Sequence, residues 1–358
     1  MLENKLDNIF NKKIVICCGS GGVGKTTTSA AIALKAAEKG LKTIVLTIDP
    51  AKRLATAMGL SSLSHAPKKV PTANGSLYAM MLDTKRTFDR LIERYAPSEK
   101  EAQAILENRL YKHMSNMIAG SQEYMAMERL HEIYEEGKYD FIVLDTPPTR
   151  HALDFLEAPR RMVNMTQNSL LKWFLTPGIF AGKVGWGLLH KGAEKILSVL
   201  DRLAGLSFLH ELAEMISLMG NMLAGFQKRA QSVNDLLHSE MCGFVLIASP
   251  SEVSIEDARF FYEKINEEKL PFLGFVVNRI HQFSNVSLES LKTSSLDSEV
   301  KEKVKQVVQH YKKLSLRDES AIQGLKKSKK YFFKTIPLLA GEVHDLVGLE
   351  KMGSLLLS

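Results

Sequence analysis

Cysteine is scarce in this chain of 358 residues: there are three, Cys17, Cys18 and Cys242. Two are adjacent and the third lies far off, so they build no disulfide framework and match no C-x-x-C zinc spacing. A reducing, cytoplasmic compartment is expected. Long apolar runs are lacking too. The most apolar stretch, residues 170–189, is broken by Lys172, Pro177 and Lys183, so no membrane span is expected. Residues 1–13 have no apolar leader core, and the sequons at Asn164 and Asn285 are read as chance matches. Neither charge sign dominates: 47 basic and 40 acidic residues leave a net +7, scattered along the chain. Such a balance suits a small anionic ligand, and no specific nucleic-acid partner is expected. What is present, 45% hydrophobic and 24% charged residues, suffices for a sizeable core in one large α/β domain or two smaller ones.

Short runs rich in β-branched residues predict strands at 13–18, 42–48, 77–82, 141–144, 243–248, 272–277 and 334–337. Helical patterns at 25–38, ended by Gly40, and at 254–268 lie between them. The alternation predicts a doubly wound, mostly parallel α/β sheet covered on both faces. Two stretches interrupt it. Residues 86–136 read as mostly helical, and residues 157–240, rich in Leu and Met, carry no strand signal. The expected organisation is a nucleotide-binding domain from 1–156 and 241–358, with 157–240 as an inserted helical subdomain.

Gly19-Ser20-Gly21-Gly22-Val23-Gly24-Lys25-Thr26 satisfies G-x-x-x-x-G-K-[ST] in full, after a strand and before a helix. Glycines let backbone N–H groups curl around phosphate oxygens, and the helix N-terminus adds its dipole. Lys25 is expected on the terminal phosphates and the Thr26 hydroxyl on a magnesium ion; Thr27 follows in the same turn. Asp145 ends a strand, where a second metal-side carboxylate belongs, although a strand-end aspartate also caps turns. Asp49 ends another strand before Pro50. It either orients an attacking water from the sheet's carboxyl edge or caps the next helix.

GSGGVGKTTT (19–28), TIDPAKRL (47–54) and DTPPTRHALDFL (145–156) resemble the P-loop, switch I and switch II of the ArsA-type ATPases. That family includes the arsenite-pump ATPase and the ATPase that targets tail-anchored membrane proteins. Val277-Asn278 after a strand resembles its adenine-contacting segment, PLLAGEVHDL (337–346) its C-terminal loop, and GSQEYMAMERL (120–130) a bacterial, anion-transporting branch. The resemblance spans nearly the whole chain. It implies a deviant Walker A P-loop fold, ATP and Mg2+ as ligands, and hydrolysis of ATP to ADP and phosphate by a nucleotide-driven dimer. It further implies that Asp49 positions the water, that Asp49 and Asp145 stand on the metal side, that Asp145 senses the γ-phosphate, and that Asn278 reads the base.

Three departures matter. The family's lysine after the first P-loop glycine, which reaches the partner's phosphates, is Ser20 here. Losing a transition-state cation costs about 10³ to 10⁵ in rate where an arginine finger serves. The chain is therefore expected to hydrolyse slowly alone, or to pair with a paralogue that supplies the cation; a homodimer and a heterodimer both stay open. The paired C-x-x-C zinc of the targeting ATPase is missing. Arsenite needs convergent thiolates, and Cys17 and Cys18 point to opposite faces of one strand.

Within 157–240, Leu197, Leu200, Leu203, Leu209, Leu212, Met215, Ile216, Met219 and Met222 recur at helical spacing, downstream of Trp173, Phe174, Phe180 and Trp186. Two uses are open: a methionine-rich groove for a hydrophobic client or membrane protein, or ordinary packing, which is the commoner fate of such stripes. The stretch KKSKKYFFK (326–334) reads as a solvated helix end before the last strand, the tail 351–358 as too short for a membrane anchor, and His151 as structural. The competing functions are a client-handling motor, a weakly hydrolysing scaffold subunit and, disfavoured by the cysteines, an anion-extrusion ATPase.

Overall fold

The computed structural model describes residues 8–48, 53–108, 111–112, 122–147, 222–283, 297–326, 330–339, 341 and 343–357. Its strands are β1 (Ile14–Cys18), β2 (Thr43–Thr47), β3 (Lys68–Lys69), β4 (Leu77–Met81), β5 (Phe141–Asp145), β6 (Cys242–Ala248), β7 (Phe272–Ile280) and β8 (Phe332–Pro337). They form one sheet in the order β3-β4-β2-β5-β1-β6-β7-β8, parallel throughout except for the edge pair β3–β4. The central strands are apolar on both faces: every residue of β1, β2, β5 and β6 is buried. Parallel strands covered on both sides require such uninterrupted runs. Full burial of each Ile, Val or Leu there stabilises the fold by about 1.5–3 kcal/mol.

The helices are α1 (Lys25–Glu38), α2 (Arg53–Ala57), α3 (Thr84–Tyr95), α4 (Glu99–Glu107), α5 (Gln122–Glu136), α6 (Leu223–His238), α7 (Glu252–Glu267), α8 (Ser298–Ile322) and α9 (Leu346–Leu357). Side-chain oxygens of Asp83, Ser98 and Ser251 accept from backbone N–H groups in the first turns of α3, α4 and α7, the usual way a helix start satisfies its orphan donors. Helix α1 buries Ala30, Ala31, Ala33, Ala36 and Ala37, and these small side chains let it approach β2 and β5 closely.

The chain divides into two compact units. The first, Met1–Leu82 with Ile133–Leu153 and Leu237–Ser358, contains the whole sheet. The second, Asp83–Glu132 with Asp154–Leu236, is helical in its described part. Phe88 there stacks on Tyr111 and Phe226, with ring centroids 6.0 and 6.3 Å apart. In the same unit Arg229 Nε donates to Glu128 Oε1 over 2.6 Å, both side chains being buried. Burial pushes the Glu128 carboxyl up to about 7, against the pull of Arg229.

Several expected bounds shift. β7 runs on to Ile280, so Asn278 lies inside the strand rather than after it. β8 begins at Phe332, which is buried, two residues before the expected start. α7 begins at Glu252, because Ser251 rather than a later residue caps it. The short antiparallel β3 and the 25-residue α8 went unpredicted. Most of the stretch 157–240, together with Asp49, His151, Asn164 and Asn285, lies outside the described residues.

Candidate nucleotide site

At the carboxyl edge of the sheet, where an open α/β fold binds its ligands, a cleft of about 1030 Å³ opens in the first unit. The P-loop forms one wall through Gly22, Gly24, Lys25, Thr26 and Thr27. The cleft is also lined by Arg53 and Thr56 of α2, Thr146 after β5, Asn278 and Arg279 of β7, and Pro337, Leu338, Leu339, Gly341, Val343 and His344.

The glycines are required here by geometry. A Cβ on Gly19 would lie 2.1 Å from the Ile247 carbonyl oxygen of β6. Gly22 and Gly24 adopt φ of 78° and 92°, in the left-handed region that L side chains avoid. Lys25 is buried, 6% exposed, and its Nζ donates to the Ser20 carbonyl at 2.8 Å. The ammonium is thus folded back over its own loop.

Asp145 is 1% exposed at the end of β5. Its Oδ2 accepts from Thr26 Oγ1 at 2.8 Å and from Thr47 Oγ1 at 3.0 Å. The sheet register explains the second bond, since Thr47 and Asp145 are direct partners on β2 and β5. Nothing in the sequence singled out Thr47 for this contact; it follows only once β2 and β5 are known to be neighbours. Thr56 and Arg279 were likewise not singled out, whereas Arg53 and His344 lie in the segments 47–54 and 337–346 that carry the resemblance. Thr146 extends the cluster, its hydroxyl donating to the Cys17 carbonyl at 2.9 Å.

Ser20, in the position of the missing lysine, donates from Oγ to Ser254 Oγ at 3.3 Å; Ser254 also accepts from the Ser249 N–H at 2.9 Å. Asn278 stands against the P-loop, its Nδ2 donating to the Val23 carbonyl at 3.1 Å while its Oδ1 accepts from the Arg279 N–H at 2.9 Å. Of the residues expected at the site, Gly22, Gly24, Lys25, Thr26, Thr27 and Asn278 line one cleft, and Asp145 is joined to it through Thr26. Gly19, Ser20, Gly21 and Val23 complete the loop.

The three cysteines are buried. Burial pushes all three thiols up, Cys18 and Cys242 to about 12. Cys242 pairs with Ile14, three residues before Cys17, which is about 10 Å further along the strand. The three sulfurs therefore do not converge. Among the described residues no group of three or more His, Cys, Asp or Glu side chains could hold a metal ion, and no helix is long and apolar enough to cross a membrane.

A model of the anion-transporting ATPases matches residues 12–357. The putative arsenical pump-driving ATPase 2 of Aquifex aeolicus (strain VF5) is 25% identical over 329 residues, which are 89% of this chain and 97% of that protein. The ATPase ASNA1 homolog of Babesia bovis is 26% identical over 283 residues, 78% of this chain and 70% of its own. The ATPase GET3 of Malassezia globosa (strain ATCC MYA-4612 / CBS 7966) is 32% identical over 158 residues, 44% of this chain and 45% of its own. A P-loop of full pattern at the open edge of a parallel sheet, and a family match over nearly the whole length, make this chain a member of the ArsA family of anion-transporting ATPases and an ATP-hydrolysing enzyme.

Proposed function

We propose that this ATPase is magnesium-dependent, works as a nucleotide-driven dimer in the cytoplasm, and couples hydrolysis to a hydrophobic client or membrane partner. The observation that carries the metal part is the Asp145 carboxylate held 2.8 Å from the Thr26 hydroxyl beside the P-loop. A hydroxyl and a carboxylate are hard oxygen donors, which fit magnesium better than any soft metal. Thr26 and Asp145 would hold the ion, which would neutralise phosphate charge when bound. Lys25 leaves the Ser20 carbonyl for the terminal phosphates, Asp49 orients the attacking water and adds a metal-side carboxylate, and Asn278 contacts the base.

The relatives' names support the two client classes unequally. Arsenical pump-driving relatives suggest extrusion, but three dispersed, buried thiols argue against arsenite as this chain's cargo. The homologues named ASNA1 and GET3 favour a client-handling role, with residues 157–240 as the helical insert that would meet the client.

A second use is favoured by one specific observation, the Ser20 hydroxyl turned onto Ser254. With no cation at that position, a weakly hydrolysing subunit would need a paralogue to supply one. Steady-state ATP turnover by the pure chain, alone and mixed with a co-purifying paralogue, separates the two. Fast Mg2+-dependent turnover by a pure homodimer removes the paralogue. Slow turnover that rises at least a hundredfold on mixing establishes it.

A further inference from the structure

Asn278 is hydrogen-bonded to the P-loop itself. We infer that Asn278 is a positioning residue for the phosphate cradle, acting on it through the Val23 carbonyl, in addition to any contact with the base. The inference rests on this cleft being the nucleotide site.

The side-chain amide can sit only one way. Its Nδ2 faces the Val23 carbonyl at 3.1 Å and its Oδ1 faces the Arg279 N–H at 2.9 Å. Reversed, oxygen would meet oxygen and N–H would meet N–H. A buried residue, 8% exposed, thus joins β7 to a loop 255 positions away.

The bond fixes more than one carbonyl. The Val23–Gly24 peptide is planar, with its C=O and N–H antiparallel. Holding the Val23 oxygen toward Asn278 therefore directs the Gly24 N–H the other way and sets its peptide plane at the entry to α1. Gly24 is the left-handed residue immediately before Lys25, so the same plane sets where the ammonium side chain starts. The contact is close enough that Gly24 has no room for a Cβ, which would lie 2.3 Å from Nδ2.

The strand end that carries Asn278 is itself anchored. Arg279 turns at φ 64° with its N–H on Asn278 Oδ1. The Ile280 carbonyl accepts from the Leu338 N–H at 2.9 Å. The His281 N–H and Nδ1 both meet Asp318 Oδ2 of α8, at 2.9 and 2.7 Å, while Arg317 holds the other carboxylate oxygen. A residue that served only to touch a mobile base would not need this support; a fixed bracket for the loop does.

The test compares a base-free ligand with nucleotides. Inorganic tripolyphosphate, ATP and GTP, each with magnesium, would displace a fluorescent ATP analogue from wild type and from Asn278→Ala, with melting temperatures checked. Losing one neutral hydrogen bond to the cradle is expected to weaken tripolyphosphate about two- to tenfold, and ATP at least as much. If tripolyphosphate binds the variant as it binds wild type while ATP and its preference over GTP decline, Asn278 reads the base alone and the inference is overturned. If Asn278→Ala does not fold, Asn278→Ser carries the same comparison. Failure of tripolyphosphate to bind wild type would instead remove the phosphate cradle itself, a different result from the one that isolates Asn278.

Discussion

Gly24 and Asn278 should behave as one unit in stability as well as in binding. Gly24→Ala puts a side chain at φ 92°, where the left-handed conformation costs roughly 1–2 kcal/mol for a residue with a Cβ. The new Cβ would also lie 2.3 Å from Asn278 Nδ2, inside any tolerable contact, so the amide must withdraw from Val23. That forfeits a hydrogen bond worth about 1 kcal/mol net, for a total of about 2–3 kcal/mol. Asn278→Ala alone forfeits the same bond, again about 1 kcal/mol. In the double variant the bond is lost once and the overlap is gone, leaving about 2–3 kcal/mol where independent effects would give about 3–4. A coupling of about 1 kcal/mol is therefore expected between the two sites. Urea midpoints for wild type, both single variants and the double, read at constant m in the unfolding of the sheet unit, measure it. Additivity within about 0.3 kcal/mol would refute the contact between loop and strand.

Lys25→Ala removes the one buried ammonium of the cradle and, at about 1.5–3 kcal/mol for hydrogen bonds to charged groups, should weaken Mg-ATP by roughly ten- to a hundredfold, read by calorimetry. Asp145→Asn keeps the shape that receives Thr26 and Thr47 but not the charge; ATP turnover should fall at least a hundredfold and lose its dependence on magnesium concentration. Glu128 has a folded-state carboxyl raised from 4.5 to about 7, chiefly by burial, so the native chain holds a proton that the unfolded chain has already released. Stability present below pH 4.5 is thus lost as pH rises to about 7, by a difference on the order of 3 kcal/mol that Glu128→Gln should abolish in melting curves across that window. Arsenite or antimonite should leave ATP turnover unchanged, and a clear stimulation would overturn the reading of the three buried thiols as structural.

What the sequence made legible was local. The P-loop, the strand before it and the helix after it occupy 25 consecutive residues, 14–38, and each signal lies within a few positions of the next. The same holds for β2, β5 and β6, whose apolar runs need no partner to be recognised. What escaped was everything that depends on strand order. Thr47 and Asp145 are 98 residues apart, His281 and Asp318 are 37, and Ser20 and Ser254 are 234; no spacing rule joins them. Helix α8 escaped for another reason. Its apolar stripe of Val304, Val308, Tyr311 and Leu314 is only half-buried, and two of the three residues buried along its 25 positions, Ser315 and Asp318 beside Ile322, are polar. Its function in the sheet unit is polar, the carboxylate that holds His281, and binary patterning does not record a buried aspartate. Burial alone would push Asp318 up; the bonds from His281 and Arg317 outweigh it and hold the carboxyl below its ordinary range.

The serine at residue 20 should affect turnover more than binding. Lys25 is held by the backbone oxygen of Ser20, which any amino acid supplies, so the identity of that residue has no hold on the resting position of the ammonium. The side chain is a separate matter. A hydroxyl satisfied by Ser254, which itself receives the Ser249 N–H, lies against the start of α7 and carries no charge to offer a neighbouring phosphate. A chain built this way retains the groups proposed to grip a magnesium-bound triphosphate: the loop amides, Lys25, Thr26, Asp145 and the Asn278 bracket. It gives up only a cation that would act on developing charge, and catalysis depends on interactions stronger in the transition state than in the ground state. Affinity for ATP should therefore be ordinary for the family, while in the proposed dimer the rate would depend on what stands across the interface, so that the partner rather than the cradle would set the activity.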